Sequence, residues 1–204
     1  MLSVQCYKEE LEAAARSSLV AGYQILDLQD FPGQGTALVG ILDAFMDSKG
    51  HITPEEWAGF CSDAILLAQF EKYVYLAIRY YNPEKLTGKK LHYELIRRDV
   101  SAAETTGFAV NGETSVVTSG DVKIPDGAKE LVQLGGISFA MPETDKTAVY
   151  DLILTIDGTP YKNKYELYCY PVNDDVLSLE NIASIGEGDN QVFITNEFTE
   201  TKSL

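Results

Sequence analysis

Apolar and polar positions along this chain follow two different periods, and the change falls near residue 70. Before it, residues 4–18 place Leu11, Ala14 and Ala15 on one face and Glu9, Glu10 and Glu12 on another. That pattern predicts an amphipathic helix with its glutamates in solvent. "YQILDLQ" (23–29) predicts a short strand, with Tyr23, Ile25, Asp27 and Gln29 on one side and Gln24, Leu26, Leu28 and Asp30 on the other. Apolar residues on both sides at its centre fit a strand buried on both faces, as in a parallel α/β sheet. Polar residues gather at its C-terminal end, where such sheets bind ligands. "FPGQG" follows as a turn, and "DSKGHITPEEW" reads as a turn at Lys49–Gly50 and then a helix. Thr53 is its expected N-cap, Pro54 its first residue and Glu56 the partner in a capping box.

Beyond residue 70 the period becomes two. "YVYLAIRYY", "KLHYELIRR", "SVVTSGDVKI", "LVQLGGISFAM", "AVYDLILTIDG" and "YKNKYELYCYP" are β-branched or aromatic runs separated by Gly, Pro, Asn and Asp turns. Half a dozen short strands over about a hundred residues are the signature of an immunoglobulin-like sandwich. Leu91, Tyr93 and Leu95, with Leu152, Leu154 and Ile156, are its expected inward faces, and "SAAETTGFAVNGETS" a long inter-strand loop. "QVFITNEF" then predicts one more strand. The expected fold class is α+β: an Ig-like antiparallel β-sandwich preceded by a partial α/β segment.

Charge and motifs narrow the chemistry. A formal net charge of −15 over 204 residues argues against nucleic acid and anionic membranes as partners. No apolar run is long enough for membrane insertion. Three cysteines without CxxC spacing and two lone histidines, His51 and His92, offer no disulfide framework, zinc site or His-based triad. The glycines at 33, 35 and 40 miss GxGxxG because residue 38 is leucine, so no nucleotide cofactor is expected. A calcium loop with Gly50 at its sixth position would need oxygen ligands at Phe45 and Lys49, so metal binding is not expected either. The sequence calls for no cofactor.

Two stretches carry a family resemblance. "SVQCYKEELEAAARSS", with "GYQILDLQDFPGQGTALVGILDAFMDSKGHITPEEWAGFC", resembles the last barrel unit of glycoside hydrolase family 2 enzymes of Bacteroidetes, relatives of β-galactosidases and β-glucuronidases. "LHYEL", "GDVKIPDG", "LVQLGGISFAMP" and "LILTIDGTPYKNKYELYCYP" resemble the Ig-like domain that follows the barrel, and "VFITNEF" the start of a further module. The resemblance implies three parts. Residues 1–69 would be the terminal unit of an incomplete (β/α)8 barrel, 70–172 the Ig-like sandwich, and 173–204 a linker with the first strand of the next module.

It also implies that the 23–29 strand ends at a sugar pocket, where Asp27, Gln29, Asp30 and Gln34 meet carbohydrate hydroxyls. Amides and carboxylates suit that task because a hydroxyl both donates and accepts. Asp30 and Gln34 would equally suit capping of loop N–H groups. The family's paired catalytic carboxylates sit on earlier barrel strands and have no counterpart here, and a barrel needs about 250 residues. No catalytic residue is therefore expected in this chain, which reads as a fragment of a carbohydrate-active enzyme that hydrolyses glycosidic bonds. Self-association through residues 1–69 is expected from the barrel unit's uncovered apolar surface. The family is typically periplasmic or secreted, although no signal peptide is legible. A stand-alone carbohydrate-binding module, stacking sugars on Tyr161, Tyr165, Tyr168 and Tyr170, is the alternative, as is a structural or interaction domain.

Overall fold

A computed structural model describes residues 2–35, 38–71, 73–81, 86, 88–98, 114–126, 130–142, 144, 147–170, 184–185 and 192–193. Most of the expected inter-strand loop "SAAETTGFAVNGETS" and most of "QVFITNEF" lie outside the described residues. Two helices, α1 (Leu2–Arg16) and α2 (Pro54–Ala58), precede seven strands. These are β1 (Ala64–Phe70), β2 (Val74–Tyr80), β3 (Lys90–Arg98), β4 (Thr114–Lys123), β5 (Leu131–Ile137), β6 (Ala148–Ile156) and β7 (Lys162–Cys169). A two-residue pair, β8 (Ser184–Ile185) with β9 (Val192–Phe193), follows.

The protein is mostly antiparallel β-sheet with few helices. Three strands form one sheet in the order β1-β2-β5, and four form the other in the order β4-β3-β6-β7. Every pairing in both is antiparallel. Alternation along the strands supplies the shared core: Leu66, Leu76 and Ile78 from the first sheet meet Leu91, Leu95, Tyr150, Leu152 and Leu154 from the second. All six expected inward residues join it, five fully buried and Tyr93 partly so. β5 carries one extra residue opposite Leu76 and Ala77, and Gly135 takes a φ of 91° there, a conformation open to glycine.

β1 was not visible in the sequence as a strand. "AILLAQF" is a continuous apolar run because both of its faces are covered. Ala64, Leu66 and Ala68 face the shared core, whereas Ile65 and Leu67 face outward and pack with Ala77 beneath Ala15 of α1. The helix therefore lies on the outer face of the three-stranded sheet. Arg79 of β2, also on that face, donates to the carbonyls of Ser17 (3.3 Å) and Val20 (2.8 Å) just past the helix end.

A second bond between helix and sheets is polar, and it corrects the expectation of a solvated Glu12. That residue is 1% exposed. Its carboxylate accepts from Asn163 Nδ2 (2.8 Å) and from the Tyr165 hydroxyl (2.9 Å), both on β7. Asn163 also donates to the Leu66 carbonyl of β1 (2.7 Å), and Tyr165 accepts from the Ala68 amide (3.0 Å). Lys8, one turn earlier, reaches Asn163 Oδ1 (2.7 Å) and the Lys164 carbonyl (2.6 Å), with its ammonium 4.3 Å from the Tyr165 ring centre. Burial, then the Glu12 charge, push the Tyr165 hydroxyl well above its ordinary range, so it remains a donor. One carboxylate thus ties α1 to the seam where β1 meets β7.

Between α1 and α2 the expected strand over 23–29 is not formed. Among the described residues no neighbouring strand pairs with it, and Asp27 sits at a φ of 57°, which breaks the alternation of an extended chain. Among the described residues of 17–52 there are two isolated bridges, Gln29 with Leu42 and Leu42 with Ser48. The capping box of α2 is present as expected, with Thr53 and Glu56 bonded reciprocally. No described helix is long and apolar enough to cross a membrane.

Candidate functional site

The four expected sugar-facing residues all fall in the 27–49 loop, whose two arms are clamped together. The Asp30 amide donates to the Leu42 carbonyl (3.0 Å), and the Leu42 amide to the Leu28 carbonyl (3.1 Å). Asp30 is 7% exposed, and its Oδ1 accepts from the Gly40 amide (2.9 Å) and from Lys49 Nζ (2.6 Å). A Cβ on Gly40 would lie 2.4 Å from the Gln29 carbonyl carbon, so only glycine allows the arms to approach this closely. Asp43 closes the tip by accepting from the amides of Phe45 (2.8 Å) and Asp47 (3.0 Å). Asx turns of this kind let a loop satisfy its own backbone.

With Asp30 committed to the clamp, the other three residues stand at the surface. Gln29 and Gln34 are exposed and Asp27 is half-buried. Gln34 follows a turn in which its amide donates to the Phe31 carbonyl (3.3 Å). The Asp27 carbonyl accepts from the Tyr7 hydroxyl at 3.4 Å, linking the loop to α1. Burial, then the Asp27 charge, raise the Tyr7 pKa above its usual value.

A cleft of about 290 Å³ opens behind the loop, a feature that no sequence motif announced. Leu28, Ile41 and Leu42 form one wall, and Ile52, Pro54 and Trp57 the other. Trp57 is held edge-on by Tyr7 (5.8 Å between ring centres) and by Phe60 (5.1 Å). Ser48 and Thr53 are its polar lining, and a largely apolar cleft with a few polar groups is the general make-up of a small-molecule site. Leu26, Phe31, Leu38 and Val39 on the same segment remain exposed.

The four tyrosines of a stacking platform are not brought together. β7 alternates, so Tyr165 points inward and is buried, while Tyr168 points outward. Tyr161 sits before the strand and bonds Asp63 Oδ2 at 3.1 Å, and burial chiefly pushes its pKa up to about 12. Among the described residues, no group of three or more His, Cys, Asp or Glu side chains comes together to hold a metal ion.

Fold and site together define a two-sheet antiparallel β domain with a helix latched to one sheet and a clamped loop beside an apolar cleft. Residues 73–171 match a family model described as a domain of unknown function, DUF8488. The matched stretch holds β2 to β7 and leaves α1, α2 and β1 outside it. No curated protein matches the chain.

Proposed function

We propose that this chain is a non-catalytic part of a carbohydrate-active enzyme resembling glycoside hydrolase family 2, in which the 27–49 loop supplies one wall of a sugar site. The β body is an immunoglobulin-like sandwich in this reading. Its three-plus-four strand order fits that class, with the fourth strand paired to the third rather than to the fifth. The observation that carries the proposal is the clamp. Asp30, Lys49 and Gly40 fix the loop from within, Gln29 and Gln34 are exposed and Asp27 is half-buried, and Leu28, between Asp27 and Gln29 in the chain, lines the Trp57 cleft. Asp30 then holds the wall in place, and the other three meet hydroxyls. Hydrolysis of the glycosidic bond belongs to carboxylates that this chain does not supply.

The exposed Leu26, Phe31, Leu38 and Val39 support a further covering surface over residues 1–69, and they drive self-association of the chain on its own. Titration of the chain with β-linked disaccharides, followed by backbone amide NMR, tests the proposal. Shifts at residues 27–34 and at the Trp57 indole are expected, without release of reducing sugar. Shifts confined to Tyr168 and Tyr170 would support a stand-alone binding module instead. An absence of shifts at 27–34 would contradict the proposed wall.

A further inference from the structure

Among the described residues, the two larger sheets end in four edge strands, β1 and β5 in one and β4 and β7 in the other. An open edge presents a row of unpaired N–H and C=O groups to any other strand, so native folds blunt it. Three of the four are blunted here. On β1, the Leu66 carbonyl accepts from Asn163 Nδ2 (2.7 Å) and the Ala68 amide donates to the Tyr165 hydroxyl (3.0 Å). On β7, the Lys164 carbonyl accepts from Lys8 (2.6 Å). Gly59 packs so closely on the Lys162 carbonyl that a Cβ would lie 2.9 Å from it. β5 is short, and the bulge at Gly135, opposite Leu76 and Ala77, bends it.

β4 is different. It is ten residues long and pairs with β3, and among the described residues no strand lies along its far side. From Thr118 to Lys123 its register against β3 runs unbroken, and the irregularity opposite Leu95 and Ile96 falls before that stretch. The Ile124 amide donates to the Lys89 carbonyl (3.2 Å). Bonded pairs alternate along an antiparallel ladder, so Val122, Gly120 and Thr118 bond β3, and the backbone groups of Ser119 and Asp121 point outward. Thr114 to Gly120 carry no charge, and Thr114, Val116, Val117 and Thr118 are β-branched, a composition that favours strand pairing. The Asp121 carboxylate lies 2.8 Å from His92 Nδ1 and 3.4 Å from Lys90 Nζ of β3, and the ammonium offsets its charge. A second copy of the chain fits this edge in one register. With a two-fold axis at Gly120, Ser119 of each copy faces Asp121 of the other and exchanges backbone bonds with it, and Thr118 faces Val122. No like charges then meet, and the Ser119 hydroxyl donates to the facing carboxylate. An axis at Asp121 would set two carboxylates against each other, and one at Val122 would shorten the overlap to residues 121–123.

We infer that β4 is a docking edge for a second copy of this chain, joining the two four-stranded sheets across a two-fold axis at Gly120. This edge is separate from the 17–52 segment and independent of the function proposed for it. The test uses the intact chain carrying Leu26→Ser and Phe45→Ser, which reduce association through that segment. Sedimentation equilibrium and amide hydrogen exchange are followed at rising concentration. A monomer–dimer equilibrium is expected. The Ser119 and Asp121 amides should slow as the dimer fills, whereas Gly120 and Val122, already bonded to β3, should change far less. Added salt should strengthen the dimer, because each copy carries a net charge of −15. Ser119→Pro removes an outward N–H without touching a β3 bond. It should melt with the parent chain and dimerise at least about tenfold more weakly. The inference is overturned if the chain stays monomeric, if a dimer forms without slowing of Ser119 and Asp121, or if Ser119→Pro dimerises as well as the parent. Slowing of these amides in a monomer, and only on addition of a Thr/Val-rich extended peptide, would equally overturn the second copy as the occupant.

Discussion

The two-sheet body and the loop segment before it solve the same problem in opposite ways. In the body, Leu91, Leu95, Leu152 and Leu154 are fully buried, and even the polar seam under α1 is bonded on every side. In the 17–52 segment, Leu26 is 82% and Phe45 86% exposed, and order comes from a buried carboxylate and backbone turns instead. Hydrophobic burial stabilises the first region, whereas the second is shaped mainly by hydrogen bonds. The difference teaches where stability and recognition reside. A surface held in shape without covering its own apolar groups is available to something else.

The largest expected effect breaks the body. Leu154→Ala empties a core position between two sheets and should cost about 2–5 kcal/mol in urea or thermal unfolding. Next comes the latch. Glu12→Ala leaves the Asn163 amide and Tyr165 hydroxyl without their buried acceptor, and should cost about 1–3 kcal/mol. A cost near zero in the same melts would move α1 from the body to the loop side of the comparison. Smaller still is Asp30→Ala, at about 1 kcal/mol. That loss should appear as faster exchange of the Gly40 and Leu42 amides, with the main transition hardly moved. The smallest effect is on folding itself: Leu26→Ser with Phe45→Ser should shift stability by no more than about 0.5 kcal/mol. The same pair should reduce self-association in light scattering, which sharpens the contrast between a surface that stabilises and one that recruits.

Legibility divides along the same line. From Val74 to Cys169 the six β-branched or aromatic runs set off by turn residues are all found as strands; alternation is plainest in β7, whereas β2 and β6 are buried on both faces over much of their length. The capping box at Thr53 and Glu56 was equally plain, since its bonds are local. β1 was missed because α1 covers its outer face and erases the alternation. Glu12 was misplaced for a related reason: its partners, Asn163 and Tyr165, are some 150 residues away in the chain, and no local pattern encodes them. In the loop, "DLQD" contains Asp30, the carboxylate at the centre of the clamp. The sequence could not tell that Lys49 and Gly40 converge on Asp30, nor that Trp57 turns toward the cleft, because both depend on how the two arms fold together. The expected 23–29 strand failed because an apolar run becomes a strand only where a neighbour pairs with it.

Native-state hydrogen exchange on the intact chain tests the contrast most directly, because it reads an opening free energy at every amide. Amides of Leu11 to Ala15 in α1 should share the slowest class with Leu66, Leu152 and Leu154, exchanging only through global unfolding. Amides from Gln29 to Asp43 should exchange through local opening at a clearly lower free energy. Slow, globally limited exchange throughout Gln29 to Asp43, or rapid local exchange of α1, would contradict the division of the molecule into a latched β body and a loop held in shape by its own hydrogen bonds.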